Sequence, residues 1–123
     1  MSMTFKVLSV LLNYPTAELQ QAVPEMRQVL EAEKLLPRAE SRALGRLLDE
    51  FETGELYDLQ ERYVLLFDRT RSLSLHLFEH VHGESRDRGQ AMVDLQNLYG
   101  EKGLELGTSE LPDFLPLFLE FLS

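Results

Sequence analysis

The chain has 123 residues, a formal net charge of −9 and no cysteine. This length predicts one domain, and the lack of thiols excludes disulfides, thiolate metal sites and Fe–S clusters held by the chain itself. The acidic excess disfavours nucleic acids and anionic membrane surfaces as partners. It favours either a basic partner or simple solubility.

The N-terminal part predicts two helices separated by a proline turn. Thr4 is suited to cap a first helix that runs to about Asn13 and is ended by the Tyr-Pro pair at Pro15. Thr16 is suited to cap a second helix. Its apolar stripe, at three- and four-residue spacing, consists of Leu19, Val23, Met26 and Leu30. Pro24 interrupts this pattern, so we expect a kink or a break just before it.

Two further helices are predicted in the middle of the chain. Pro37 suits the first position of the third helix, and Gly54 suits its end as a C′ glycine. The inward face of this helix is expected to hold Leu44, Leu47, Leu48 and Phe51. The fourth helix is predicted over residues 55–67, and its apolar side consists of Leu56, Leu59, Tyr63, Leu66 and Phe67.

The helical pattern weakens over residues 68–83 and then returns. Leucines alternate in the weak part as they would in a strand, but a single strand would have no partner, so we expect a loop with short helical turns. A fifth helix is predicted from Glu84 or Ser85 to about Lys102. Its apolar positions are Met92, Leu95, Leu98 and Tyr99.

The last predicted helix is apolar on all sides. Pro112 suits its first position, and the apolar residues that follow are Phe114, Leu115, Leu117, Phe118, Leu119, Phe121 and Leu122. Such a helix must be covered on more than one side. We therefore expect that the C-terminal helices of a longer fold are absent, or that a second chain supplies the cover in a homodimer or by an exchanged element. The expected fold is a single all-α helical-bundle domain of about six helices over residues 1–123.

Two segments bear on localisation. Residues 1–13 lack the basic start and small-residue cleavage site of a signal peptide. The apolar-rich stretch 111–122 is too short and too charged to span a bilayer. We therefore expect a cytoplasmic protein without stable membrane insertion.

The strongest candidate for a metal site by composition is a histidine cluster formed by His76, His80 and His82 with Glu79. On a helix, His76, Glu79 and His80 would share one face, as in histidine-based zinc sites. The helical periodicity of this segment is poor, however. Histidines that hydrogen-bond nearby carboxylates and backbone are therefore the favoured interpretation, and no metal is expected.

A glycine-bounded stretch at residues 83–89 places Arg86 and Arg88 beside Glu84 and Asp87. Two arginines so close together could bind a carboxylate or a phosphate. The favoured interpretation is a helix start whose acidic residues face the N-terminal dipole.

The run LFEHVHGESRDRGQAMVDL at residues 77–95 resembles the signature of the nitrate reductase assembly chaperones in the TorD/DmsD/NarJ family. The resemblance extends upstream through Phe-Asp-Arg at residues 67–69 and downstream through Glu-Leu-Pro-Asp at residues 110–113. The opening helix and Tyr-Pro turn at residues 11–15 also fit the family. The resemblance thus covers nearly the whole chain.

This resemblance implies an all-helical, cytoplasmic chaperone that is not an enzyme and has no cofactor of its own. Such proteins bind the N-terminal segment of a molybdoenzyme catalytic subunit. In the nitrate reductase branch they hold the catalytic (alpha) subunit until its molybdenum cofactor and Fe–S cluster are inserted. The chain departs from the family in two ways: it is shorter, and Phe114 replaces the histidine of the Pro-Asp-His motif that is common in the family. Asp113 of this motif remains a candidate for contacting a basic or amide-rich peptide.

The resemblance and the apolar pattern together suggest a groove that binds a helical client peptide. We expect Tyr63, Phe67, Leu75 and Phe78 to line it, Asp68, Glu79 and Asp113 to form its rim, and His80 and Arg86 to complete the candidate set. The alternative is a helical adaptor with a different client, or a metal-binding protein built on the His76, His80 and His82 cluster.

Overall fold

The computed structural model describes residues 3–81, 87–104 and 111–123. These ranges hold seven α-helices: α1 (Met3–Leu11), α2 (Ala17–Glu33), α3 (Arg38–Thr53), α4 (Leu56–Tyr63), α5 (Leu77–Val81), α6 (Asp87–Glu101) and α7 (Leu115–Leu122). A π-helical turn follows α4 at Val64–Asp68, and a 3₁₀ turn lies at Arg71–Leu73. The predicted all-α class is confirmed. The additional helix relative to the expected six is α5, in the segment predicted as loop and short turns.

Helix α1 begins before its predicted cap, so that prediction is wrong. Thr4 lies buried inside the helix. The Glu33 carboxylate, at the end of α2, accepts the backbone N–H of Met3 at 2.9 Å and that of Thr4 at 2.6 Å. A distant carboxylate therefore satisfies amide groups that have no partner within the helix, and spacing along α1 cannot reveal it.

Helix α2 confirms its predicted cap, and of the kink or break predicted at Pro24 the break does not occur. The Thr16 hydroxyl accepts the backbone N–H of Leu19 at 3.1 Å, as expected of an N-cap residue. The helix then continues through Pro24 to Glu33. Pro24 is exposed, and buried residues of the apolar stripe lie on both sides of it. Burial of that stripe compensates for the backbone hydrogen bond that proline removes.

Helix α3 keeps its predicted limits within one residue. Pro37 precedes the first helical residue, and Gly54 caps the end. Gly54 has extended backbone, with φ of −75° and ψ of 158°. A Cβ at this position would lie 2.6 Å from the Glu50 carbonyl oxygen, so close approach to that carbonyl requires the glycine. Helix α4 stops at Tyr63, earlier than predicted, because the chain continues as the π-helical turn.

Packing of the N-terminal helices builds the core. Helix α1 packs against both α2 and α7, and α2 packs against α3. The buried core residues are Val7, Leu11, Leu19, Val23, Met26, Leu48, Phe51 and Leu59. Leu30, Leu44 and Leu47 are only partly buried against this core. The stripes predicted for α2 and α3 thus face each other, and part of the α3 stripe is left uncovered.

The C-terminal helix starts later than predicted. Pro112 is buried ahead of α7, and Pro116 occupies the first turn instead. The backbone carbonyl of Pro112 accepts a hydrogen bond from Tyr99 at 2.7 Å, which holds the segment before the helix onto α6. The predicted start of the fifth helix at Glu84 or Ser85 lies outside the described residues. The predicted dimer through α7 stays a prediction.

Candidate functional site

An apolar groove opens where α1, α3, α4, the π-helical turn and α7 meet. Its volume is about 320 Å³. The residues that line this apolar groove are Leu8, Leu11, Leu12, Pro15, Leu44, Leu47, Phe51, Leu59, Arg62, Tyr63, Leu66, Phe67 and Leu119. Concave, mainly apolar surface of this kind is typical of ligand and peptide sites.

An aromatic series holds one wall of the groove in place. Tyr14 meets the Tyr63 ring edge-on, with ring centroids 5.6 Å apart, and Tyr63 packs against Phe67 at 4.9 Å. The Tyr63 hydroxyl also donates to the Leu12 carbonyl at 2.8 Å. These contacts fix the rings that an apolar ligand would meet, which lowers the entropy lost on binding.

The π-helical turn joins the groove to a second, polar cavity. One extra residue per turn at Val64–Asp68 interrupts the α-helical register, a feature often found at functional sites. Phe67, within this turn, lines both spaces. The polar cavity measures about 410 Å³ and is lined by Phe67, Asp68, Arg69, Arg71, Ser74, His76 and Glu79.

Glu79 is held as a carboxylate within this polar cavity. A hydrogen bond from the Ser74 side chain lowers the pKa of Glu79 below its usual value, and the positive potential of His76, Arg88 and Arg71 adds to this. Partial burial opposes the shift without reversing it. The cavity therefore presents carboxylate and guanidinium groups side by side.

The Asp113 cluster adjoins the polar cavity through His76 and consists of Leu75, His76, Leu77, Phe78, Asp113 and Leu115. Asp113 is fully buried. Its carboxylate accepts the Phe78 backbone N–H at 2.9 Å and lies 3.3 Å from Nδ1 of His76. Its backbone carbonyl accepts the Leu77 N–H at 3.0 Å, and Leu115 donates to the Leu75 carbonyl at 2.7 Å. The prediction that Asp113 forms a rim is wrong, because these contacts place it inside the fold.

The structure divides the predicted peptide-binding residues among three places. Tyr63 and Phe67 line the apolar groove, whereas Asp68 and Glu79 line the polar cavity. Leu75 and Phe78 belong to the Asp113 cluster, where Leu75 is buried. His80 is exposed beside that cluster, and Arg86 lies outside the described residues.

The sequence prediction missed most of the groove wall, namely Leu8, Leu11, Leu12, Leu44, Leu47, Leu66 and Leu119. Part of their signal was present, because Leu44 and Leu47 belong to the apolar stripe of the third helix and Leu119 to a helix that is apolar on all sides. Only the arrangement of the helices shows which of these residues remain uncovered.

The histidines do not converge on a metal position in the described residues. Helix α5 begins after His76, so His76, Glu79 and His80 do not share the helical face that the metal hypothesis requires. His76 is directed to Asp113, and the Nε2 atom of His80 lies 2.9 Å from the Ser74 carbonyl oxygen. His82 lies outside the described ranges. Within those ranges, no three His, Cys, Asp or Glu residues come together as a metal site.

None of the helices, over the ranges that the structure describes, combines the length and the apolar character needed to cross a bilayer.

Comparison with known proteins gives concordant matches. The family model described as nitrate reductase delta subunit matches residues 13–123. The nitrate reductase molybdenum cofactor assembly chaperone NarJ of Escherichia coli (strain K12) is 53% identical over 117 residues, which cover 95% of this chain and 50% of that protein. A Bacillus subtilis (strain 168) relative, named as a probable nitrate reductase molybdenum cofactor assembly chaperone NarJ, is 34% identical over 121 residues, with 96% and 63% covered.

A solved structure shares the fold. The crystal structure of an Archaeoglobus fulgidus protein assigned to redox enzyme maturation has a TM-score of 0.67 and 21% identity, and the match covers 96% of this chain and 67% of that one. At this identity the likeness concerns the fold alone. The chain spans about half the length of the Escherichia coli protein it matches. Since the family model covers most of the sequence, the chain belongs to the nitrate reductase delta subunit family.

Proposed function

We propose that this protein is a dedicated cytoplasmic chaperone of respiratory nitrate reductase. It binds the N-terminal segment of the catalytic (alpha) subunit while the molybdenum cofactor and the Fe–S cluster are inserted and the enzyme complex is assembled. It carries out no bond-making step itself and needs no cofactor. Family membership and the names of the Escherichia coli and Bacillus subtilis relatives support the choice of client.

The observation that carries this proposal is the apolar groove. A groove of about 320 Å³ accommodates a few large side chains rather than a whole folded domain. An amphipathic helix presents side chains of this kind along one face, at three- and four-residue spacing. The proposed complex therefore seats the apolar face of the client segment between α1, α3, α4 and α7.

The negative charge of the protein supports polar contacts with a client peptide outside the apolar groove. With a net charge of −9, the protein attracts basic residues on the solvent-facing side of a client peptide. The polar cavity adjoins the groove through Phe67 and offers Asp68 and Glu79 as acceptors. Of the predicted set, Tyr63 and Phe67 are proposed for apolar contact, and these two carboxylates for polar contact.

Titration calorimetry with a peptide copied from the N-terminus of the client catalytic subunit tests the proposal. We expect Phe67→Ala to weaken binding at least about tenfold, because an aromatic anchor in an apolar site contributes heavily to affinity. Tyr57→Ala is the matched control, since Tyr57 is 78% exposed on α4 and outside the groove. The absence of binding heat with the wild-type chain, or equal affinities for the two variants, would contradict the proposal.

A further inference from the structure

Arg62 is the charged side chain at the border of the apolar groove. It lies in the last turn of α4, and the other lining residues, as far as the structure describes them, are aliphatic, aromatic or proline. The hydroxyl of Tyr63 already donates to a backbone carbonyl. Arg62 is therefore the group in this lining that can discriminate between ligands by charge.

Two residues of α3 hold the guanidinium at this border. Its Nη1 atom lies 2.8 Å from Oε2 of Glu50, and its Cζ atom lies 5.9 Å from the centre of the Phe51 ring. Phe51 is buried and itself lines the groove, so the guanidinium lies over the groove wall. A guanidinium has five N–H donors in a planar fork, and the Glu50 contact leaves donors available for a second carboxylate.

We propose that Arg62 determines the specificity of the groove by pairing with an acidic side chain at one border of the client peptide's apolar face. This inference rests on the proposed function, because it requires a helical client in the groove. It goes beyond that function by assigning the charge of one client residue and the protein residue that selects it.

Solvation explains why Arg62 would select an acid. Its pair with Glu50 is exposed, with 41% and 55% of the two side chains accessible, and such pairs contribute little stability. A peptide seated in the groove excludes water from the guanidinium, which strengthens a new ion pair and penalises a ligand that leaves the charge unpaired. The acid is thus favoured at this border even though the negative surface favours basic residues elsewhere on the peptide.

A double-mutant cycle on the 123-residue chain tests this assignment. The probes are the client N-terminal peptide and variants in which each acidic residue is changed singly to its amide. We expect one such change to weaken binding to the wild-type chain about tenfold, and to weaken binding to Arg62→Gln less than about twofold. Thermal unfolding of each variant verifies that it is folded.

Two further variants separate a specific pair from overall charge. Arg46→Gln removes the same charge from an exposed position of α3 outside the groove, so it should keep the wild-type response to every peptide. Glu50→Gln removes the competing carboxylate and should tighten binding of the unmodified peptide.

The possible failures are distinguishable. If the unmodified peptide binds the wild-type chain but no amide change is sensed through Arg62, the assignment of Arg62 is overturned and the proposed function stands. If Arg62→Gln and Arg46→Gln lower the affinity for the peptide equally, the effect is due to net charge, and the assignment of Arg62 is again overturned. If the unmodified peptide does not bind the wild-type chain, the proposed function itself fails.

Discussion

The apolar groove and the Asp113 cluster lie close together but differ in how their side chains are covered and paired. Within residues 3–81, 87–104 and 111–123, every buried side-chain nitrogen and oxygen has a hydrogen-bond partner, and the Asp113 carboxylate contributes two of these contacts. The groove instead leaves apolar side chains partly uncovered, such as Leu66, which is 40% exposed. A cluster with satisfied polar groups stabilises the fold, whereas uncovered apolar surface is available for a partner.

Replacing Asp113 should produce the largest effect on stability. We expect Asp113→Ala to lower the free energy of unfolding by about 3 kcal/mol, because it removes the fully buried carboxylate that accepts the part-buried Phe78 N–H and faces His76. Urea denaturation followed by circular dichroism measures this loss.

Asp113→Asn is the matched control for that change, since the amide oxygen can still accept from Phe78, and it should cost less. Affinity of the folded protein for the client peptide should change little in either variant. A loss of affinity with unchanged stability would instead make Asp113 a binding residue.

A charge placed in the apolar groove should affect client binding rather than stability. We expect Leu66→Asp to weaken client-peptide binding by about 2 kcal/mol while stability changes little, since this side chain lines the groove and is already 40% exposed. Leu65→Asp is the control, because Leu65 is 48% exposed in the same turn and does not line the groove. If calorimetry gives the same affinity for both variants, the apolar groove is not the surface that binds the client peptide.

The stability that Tyr99 contributes should depend on pH, which gives a further test of the buried polar contacts. Burial, together with the negative charge of Asp113, raises the pKa of Tyr99 from 10.0 to about 12. The unfolded chain therefore loses this proton at lower pH than the folded protein does. The stability contributed by the neutral phenol is present below pH 10 and is lost as the pH rises from about 10 to about 12.

We expect Tyr99→Phe to cost about 1 kcal/mol at neutral pH, because the hydrogen bond to the Pro112 carbonyl is lost. The alkaline loss of stability due to Tyr99, up to about 2 kcal/mol, should be absent from this variant. Denaturant titrations of both proteins between pH 8 and about 12 measure the difference. Parallel pH profiles for the two proteins would contradict the assigned role of burial.

Local spacing was a good guide to single elements and a poor one to the site. The cap at Thr16 and the limits of α3 were predicted because they depend on neighbouring residues alone. Thr4 does not cap its helix, because a carboxylate 29 residues away outweighs local preference there. Helix α2 is not broken at Pro24, because burial of a whole stripe favours the continuous helix. Among the candidate site residues, Tyr63 and Phe67 line the apolar groove, whereas Asp113 is buried in the fold. That any of them binds a client peptide stays a prediction.

The sequence by itself determined that this chain is helical, acidic and supplied with more apolar surface than one pairing of helices can cover. The periodicity of each segment and the composition are sufficient for that conclusion. Only the tertiary structure decided which apolar residues line the groove and that Asp113 is buried. Those outcomes depend on how α1, α3, α4 and α7 meet, and contacts between segments far apart in the chain have no signature in local spacing.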